Sequence, residues 1–290
     1  MMAWRERYPR LYAWGSRLVG WLLMALVSLV GVIAFLAPFF MPEIAQTGPQ
    51  NAHAQDAPLL LALLVVLALA VLFVELEHDG LNTKTVALLG ILTAFNASLR
   101  LFDALLSVFN IGGFSPVFVL VIVGGYVFGA RFGFLLGAMT MFVSALLTGG
   151  MGPWVPFQMF ATGWMGMTAA WLARFVSPRL ARGRLVARRE VVALVLFGFV
   201  WGYLYGVLMN LFFWPFVGGG EMYWEPGITW RETVQRYAAF YLLTSLVWDT
   251  GRAIGNALLL SLLAAPMLRI LRRFYVRFFW QPAVNVSSEQ

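Results

Sequence analysis

Eight apolar runs, each close to the length that crosses a bilayer, are separated in this chain by segments that hold nearly all of its charge. They lie at about Arg17–Phe40, Pro58–Glu75, Lys84–Leu101, Phe114–Gly129, Phe132–Leu147, Val155–Phe175, Val191–Trp214 and Tyr237–Leu268. A helix needs roughly 20 residues to cross about 30 Å of hydrocarbon. Hydrocarbon offers no partner to free backbone groups, so such runs fold as helices. The expected fold class is an all-α integral membrane protein of about eight transmembrane helices. Composition agrees, with 61% hydrophobic and 11% charged residues, against roughly 25% charged in soluble domains. The fourth and fifth runs are short and joined by Gly129-Ala130-Arg131-Phe132-Gly133. A re-entrant hairpin is therefore an alternative to two full crossings.

The charges set the orientation. With the N-terminus inside, the inner segments carry Arg5, Arg7, Arg10, Arg17, Lys84, Arg131, Arg174, Arg179, Arg182, Arg184, Arg188, Arg189, Arg269, Arg272, Arg273 and Arg277. The outer ones carry only Arg100, Arg231 and Arg236, and Arg252 lies within the last run. This is the positive-inside pattern, so the net charge of +7 reports topology rather than a nucleic-acid partner. Both termini are expected in the cytoplasm. The first apolar run is longer than a signal-peptide core, which is about 7 to 15 residues, and is read as an uncleaved anchor.

On the outer side, Gly149-Gly150-Met151-Gly152-Pro153-Trp154-Val155-Pro156-Phe157-Gln158-Met159 crowds three glycines and two prolines beside a Trp and a Gln. Irregular backbone at membrane depth is tolerated only where protein buries it or water reaches it, so the segment is read as a pocket wall. Polar residues inside the runs are costly and point to function. Asn96, Arg100 and Asp103 share one helical face, and so do Ser245, Asp249, Arg252 and Asn256, with Asp249 near the middle of its run. Asp249 and Arg252 are expected to form a structural ion pair near the site. Asn96, Arg100 and Asn256 are candidate substrate contacts, as are Gln158 and the aromatics Trp154, Trp164 and Trp224. Asn210 is expected to hydrogen-bond between helices. Gly90, Ala94 and Ser98 recur every four residues, which lets another helix approach closely, either in this bundle or in a partner.

Catalytic and nucleotide-binding motifs are missing. There is no phosphate loop of the G-x-x-x-x-G-K-[ST] type, no H-E-x-x-H and no G-x-S-x-G. The chain has no cysteine, and its two histidines, His53 and His78, lie in loops, so no metal site and no cofactor are expected. Two other classes remain open: a membrane enzyme acting on a lipid or isoprenoid through Glu221, Glu225 and Glu232, and an assembly protein that binds no ligand.

Three stretches carry a resemblance: Gly113–Gly129 running into Val127-Phe128-Gly129-Ala130-Arg131-Phe132-Gly133, the Gly149–Met159 segment, and Trp248-Asp249-Thr250-Gly251-Arg252-Ala253-Ile254-Gly255-Asn256-Ala257. Together they resemble the substrate-binding S components of energy-coupling factor (ECF) transporters of vitamins, the middle stretch resembling a cobalamin-type or generically annotated subgroup. A proline frequent in the first stretch is Ala130 here. The resemblance implies a six-helix substrate-binding core over residues 81–273, preceded by a two-helix extension over 1–80 and followed by a cytoplasmic tail over 274–290. It implies no enzymatic activity but capture of a vitamin, with cobalamin or a corrinoid precursor as best guess, at the outer face of a bacterial plasma membrane. Release inside would follow reorientation with a transmembrane coupling protein and two ATPase subunits, and Gly90, Ala94 and Ser98 occupy the helix that meets the coupling protein.

Overall fold

The computed structural model describes residues 9–41, 43, 48, 52–77, 83–108, 115–176, 186–218 and 220–278. Among them are α1 (Pro9–Phe40), α2 (Ala57–Glu77), α3 (Thr83–Val108), α4 (Val117–Phe128), α5 (Ala130–Thr148), α6 (Val155–Val176), α7 (Arg188–Phe213), α8 (Trp230–Thr244) and α9 (Leu246–Phe278). A single 3-10 turn, Trp214–Phe216, extends α7, and there is no strand among the described residues. Arg5, Arg7, Arg179, Arg182 and Arg184 lie outside the described residues, as does the tail beyond Phe278.

Four helices, α1, α5, α7 and α9, are long and apolar enough to cross a membrane by themselves, while α2 and α4 are shorter apolar helices. The protein is thus an all-α membrane protein. The two remaining long helices, α3 and α6, fall outside both groups because polar residues, Asn96, Arg100, Gln158 and Thr162 among them, interrupt their apolar runs.

The centre of the bundle is α4. It packs on α5, α6 and α9 and touches α3 and α7, and every residue from Val117 to Val127 is buried. Its 12 residues span only about 18 Å at roughly 1.5 Å per residue, short of the crossing expected for 114–129. Protein surrounds it, so its ends need no lipid-matched length. At Gly129, with φ of 104°, the chain reverses into α5 through backbone that an L side chain adopts only under strain.

Close backbone contact holds the core together. A Cβ on Gly125 or Gly133 would collide with the Gly166 carbonyl, and one on Gly166 with the Gly133 carbonyl, so α4, α5 and α6 touch main chain to main chain. Gly198, Gly202 and Gly206 recur along α7 and admit Leu260, Ala253 and the Asp249 carboxylate of α9. Such small-residue stripes replace hydrophobic burial, which drives little association inside a bilayer, with van der Waals contact. The first two helices pack beside these, α1 against α2, α6 and α7, and α2 against α6.

Two expectations are corrected. The run Tyr237–Leu268 is not one helix: regular geometry breaks at Ser245, with φ of −121° and ψ of −24°, separating α8 from α9. Asp249 consequently sits in the first turn of α9 rather than mid-span. Arg272, counted above with the inner segments between the apolar runs, lies within α9 and is fully buried. It pairs with buried Glu190 through Nη2 and Oε1, and its Nη1 donates to Oε2 at 3.3 Å. Tyr126 Oη donates to Oε1 at 2.9 Å and the Ala187 N–H to Oε2 at 2.9 Å, tying α4, α7 and α9 together.

Candidate functional site

The ends of α1, α3, α5 and α7 and the starts of α2, α6 and α9 form the Gly149 end of the bundle, opposite the end that carries Glu190 and Arg272. Gly149, with φ of 66°, closes α5 in the left-handed conformation. The irregular backbone is shorter than its composition implies. It ends at Trp154, and Val155–Met159 is already α6, whose first turn accepts Pro156 because a proline there forfeits no helical hydrogen bond. Trp154 is 43% exposed, and its ring folds over Gly152, where a Cβ would press on it.

Below this turn, α3, α5 and α6 meet at Arg100. Its Nη1 donates to Ser144 Oγ at 3.1 Å and to Met141 Sδ at 2.8 Å, and its Nη2 donates to Gln158 Oε1 at 2.9 Å. These acceptors are uncharged, so the guanidinium keeps its positive charge partly exposed at the edge of the bundle. The Asp103 side chain lies outside the described residues. One turn back, buried Asn96 donates to the Val117 carbonyl at 3.1 Å and to Thr140 Oγ1 at 3.2 Å, and its Oδ1 has no partner among the described residues. Asn96, Arg100 and Gln158 thus share one network.

A second polar group joins α7, α8 and α9. Asp249 contacts Arg252 as an ion pair, and Arg252 lies over the Tyr205 ring at 5.2 Å. Ser245 Oγ donates to Asn210 Oδ1 at 3.1 Å, so Asn210 does bridge helices. Asn256 is buried and donates to the Gly198 carbonyl at 3.0 Å. Asn210 Nδ2 and Asn256 Oδ1 are buried with no partner among the described residues, while Asp249 interacts with the Tyr241 hydroxyl as well as with Arg252. Each unpartnered atom costs roughly 1–3 kcal/mol.

Two aromatics expected at the pocket are engaged elsewhere. Trp164 donates from Nε1 to Ser28 Oγ at 3.2 Å and packs on Phe35 of α1, so it binds the extension to the core. Trp224 is buried with Trp214 and Phe240 and meets Phe39 at 5.6 Å. The loop carrying it is pinned by Arg236, which pairs with Glu232 at 2.7 Å, lies 3.8 Å from Glu225 and donates to the Tyr223 carbonyl at 3.0 Å. Glu225 and Glu232 are thereby spent on a loop clamp.

Sequence reading passed over His53. It is 2% exposed and carries a positive φ of 57°. Its ring lies 4.3 Å from Phe157, 5.0 Å from Phe212 in a stacked pose and 4.7 Å from Phe216. Nδ1 is 2.7 Å from Asp56 Oδ2, and Nε2 is buried without a partner among the described residues. Partial burial disfavours the charged form of Asp56, but the bond and charge of His53 and the N–H groups of Asp56 and Ala57 outweigh it, holding the carboxyl below its ordinary value.

A family model described as ECF transporter, substrate-specific component, matches residues 84–264. The chain belongs to that family. The match runs from the first turn of α3 into the second half of α9 and so contains the Arg100 network, the Gly149 turn and the Asp249 group. As an ECF substrate-specific component the protein is a multi-pass membrane subunit of a transporter rather than an enzyme, and it associates with an ECF module. Comparisons with curated proteins and with solved structures returned no match.

Proposed function

We propose that this ECF component captures a vitamin at the Gly149 end, facing outward, and releases it inside by reorienting with one transmembrane coupling protein and two ATPase subunits. The observation that carries this reading is Arg100, a cation held, among the described residues, by neutral acceptors of α5 and α6, below a glycine turn that bears an exposed tryptophan. Arg100, Gln158 and Trp154 are the proposed direct contacts, and the free carbonyls of Asn96 and Asn256 are further acceptors for a ligand. Trp164 and Trp224 brace the walls, and Asp249 with Arg252 holds the floor. The ligand proposed from resemblance is cobalamin or a corrinoid precursor. Both termini are proposed to lie in the cytoplasm of a bacterium, in keeping with the basic residues at the Glu190 end.

The division into a two-helix extension over 1–80, a core over 81–273 and a tail over 274–290 is proposed on the same grounds. Gly90, Ala94 and Ser98 lie on an exposed face of α3, and a Cβ on Gly90 meets nothing within 4 Å. Beside them an apolar groove of about 290 Å³ runs between α2, α3 and α5. This face is the proposed docking surface for the coupling protein. Gly90→Leu is expected to abolish uptake while leaving substrate binding by the isolated subunit within twofold. Mass spectrometry of small molecules and proteins that co-purify with the chain tests ligand and partners together. Recovery of neither, from cells supplied with vitamins, overturns the reading.

A further inference from the structure

Phe157, Phe212 and Phe216 form an aromatic box at the Gly149 end, and the ring inside it belongs to His53. The box and its occupant come from different parts of the chain. All three phenylalanines lie within the matched family core, whereas His53 precedes it, in the connection between α1 and α2. A phenylalanine at position 53 would fill the same space without leaving a buried nitrogen unpartnered. The backbone that delivers the ring is left-handed, a conformation that non-glycine residues hold only where surroundings enforce it. Among the described residues the His53 ring hydrogen-bonds to Asp56 alone, through Nδ1. Phe157 is followed by Gln158, the Arg100 partner, so box and Arg100 network share the first turn of α6.

We propose that the box is a receptor for a flat nitrogen heteroaromatic ring, and that His53 is its tethered occupant, displaced when a substrate carrying such a ring is captured. The inference rests on the capture reading for its last step and gives the two extra helices a role: they present a competitor to the substrate. It also names the substrate class, a planar nitrogen heterocycle attached to a polar or anionic group that reaches Arg100.

The test uses the full-length chain in detergent, with imidazole as the probe. His53→Gly empties the box, and its thermal midpoint is expected to rise with imidazole along a saturable curve, while the wild-type chain and His53→Phe do not respond. A folded His53→Gly protein that ignores imidazole, or equal responses in all three chains, overturns the proposal. Should His53→Gly fail to fold, Asp56→Ala keeps the ring and cuts its anchor. It is then expected to respond to imidazole where wild type does not, and equal behaviour of the two overturns the proposal. A vitamin that stabilises the chain while imidazole leaves His53→Gly unmoved defeats the box and keeps the capture reading. Imidazole binding with no stabilisation by any vitamin defeats capture and keeps the box.

Discussion

At the Glu190 end, a buried carboxylate meets the Arg272 guanidinium, the Tyr126 hydroxyl and the Ala187 N–H, and three helices close around it. At the Gly149 end, by contrast, Asn96 Oδ1, Asn256 Oδ1 and a ring nitrogen of His53 have no partner among the described residues, and Arg100 donates there to neutral acceptors. Both ends bury ionisable groups among tightly packed helices. The difference is that both oxygens of Glu190 have donors, which suits a fixed clasp, whereas the Gly149 end retains acceptors that a ligand can take up. A membrane protein bears the cost of unpaired polar atoms where function needs them.

The sharpest way to break this contrast is Glu190→Ala. It removes the carboxylate that faces the fully buried Arg272 guanidinium, and removing one partner of such a pair typically costs about 3–5 kcal/mol. Thermal unfolding in detergent measures this, and a loss below about 1 kcal/mol would remove the clasp from the account. Arg100→Ala probes the other end. Its partners among the described residues are neutral and its side chain is partly exposed, so stability should change by less than about 1 kcal/mol, whereas substrate affinity should fall at least tenfold, or about 1.4 kcal/mol. Arg100→Lys should not restore affinity, because an ammonium cannot reach Ser144 and Gln158 with two separate nitrogens.

Asp249→Asn sharpens the comparison further. Its partner Arg252 is partly exposed, unlike Arg272, so solvent screens the charge left behind and the change should cost about 1 kcal/mol, less than Glu190→Gln measured in the same way. The smallest effect concerns pH. Asp56 has a folded-state pKa below its ordinary 3.8, so its contribution to stability is present above that value and is lost as pH falls through the lowered one. Asp56→Asn should therefore separate from wild type near neutral pH and converge with it below pH 3.8. A gap that persists in acid would assign the effect to packing.

The helices were legible in the sequence because hydropathy is a local, one-dimensional signal, and Asn96, Arg100 and Gln158 stood out because polar groups in apolar runs are rare. The break at Ser245 was not, since serine forbids no helix and the hydrogen bonds from Ser245 to Tyr241 and from Asp249 to Ser245 continue through it. Glu190 and Arg272 are 82 residues apart, each beside other cations, so only folding shows that they meet. His53 sits among small and polar neighbours that read as a solvated loop. Its burial follows from aromatic rings more than 100 positions away. The recurrence of Gly198, Gly202 and Gly206 was readable by the same rule as Gly90, Ala94 and Ser98, and marks the α7–α9 contact.

The most direct measurement is thermal unfolding of the purified wild-type and Arg100→Ala chains against a panel of vitamins, corrinoids included. The account predicts that one compound stabilises wild type by about 2.7 kcal/mol at a hundredfold excess over its Kd, and that at the same concentration the effect is much smaller in Arg100→Ala. Stabilisation of both chains to the same extent, or of neither by any vitamin, would contradict it.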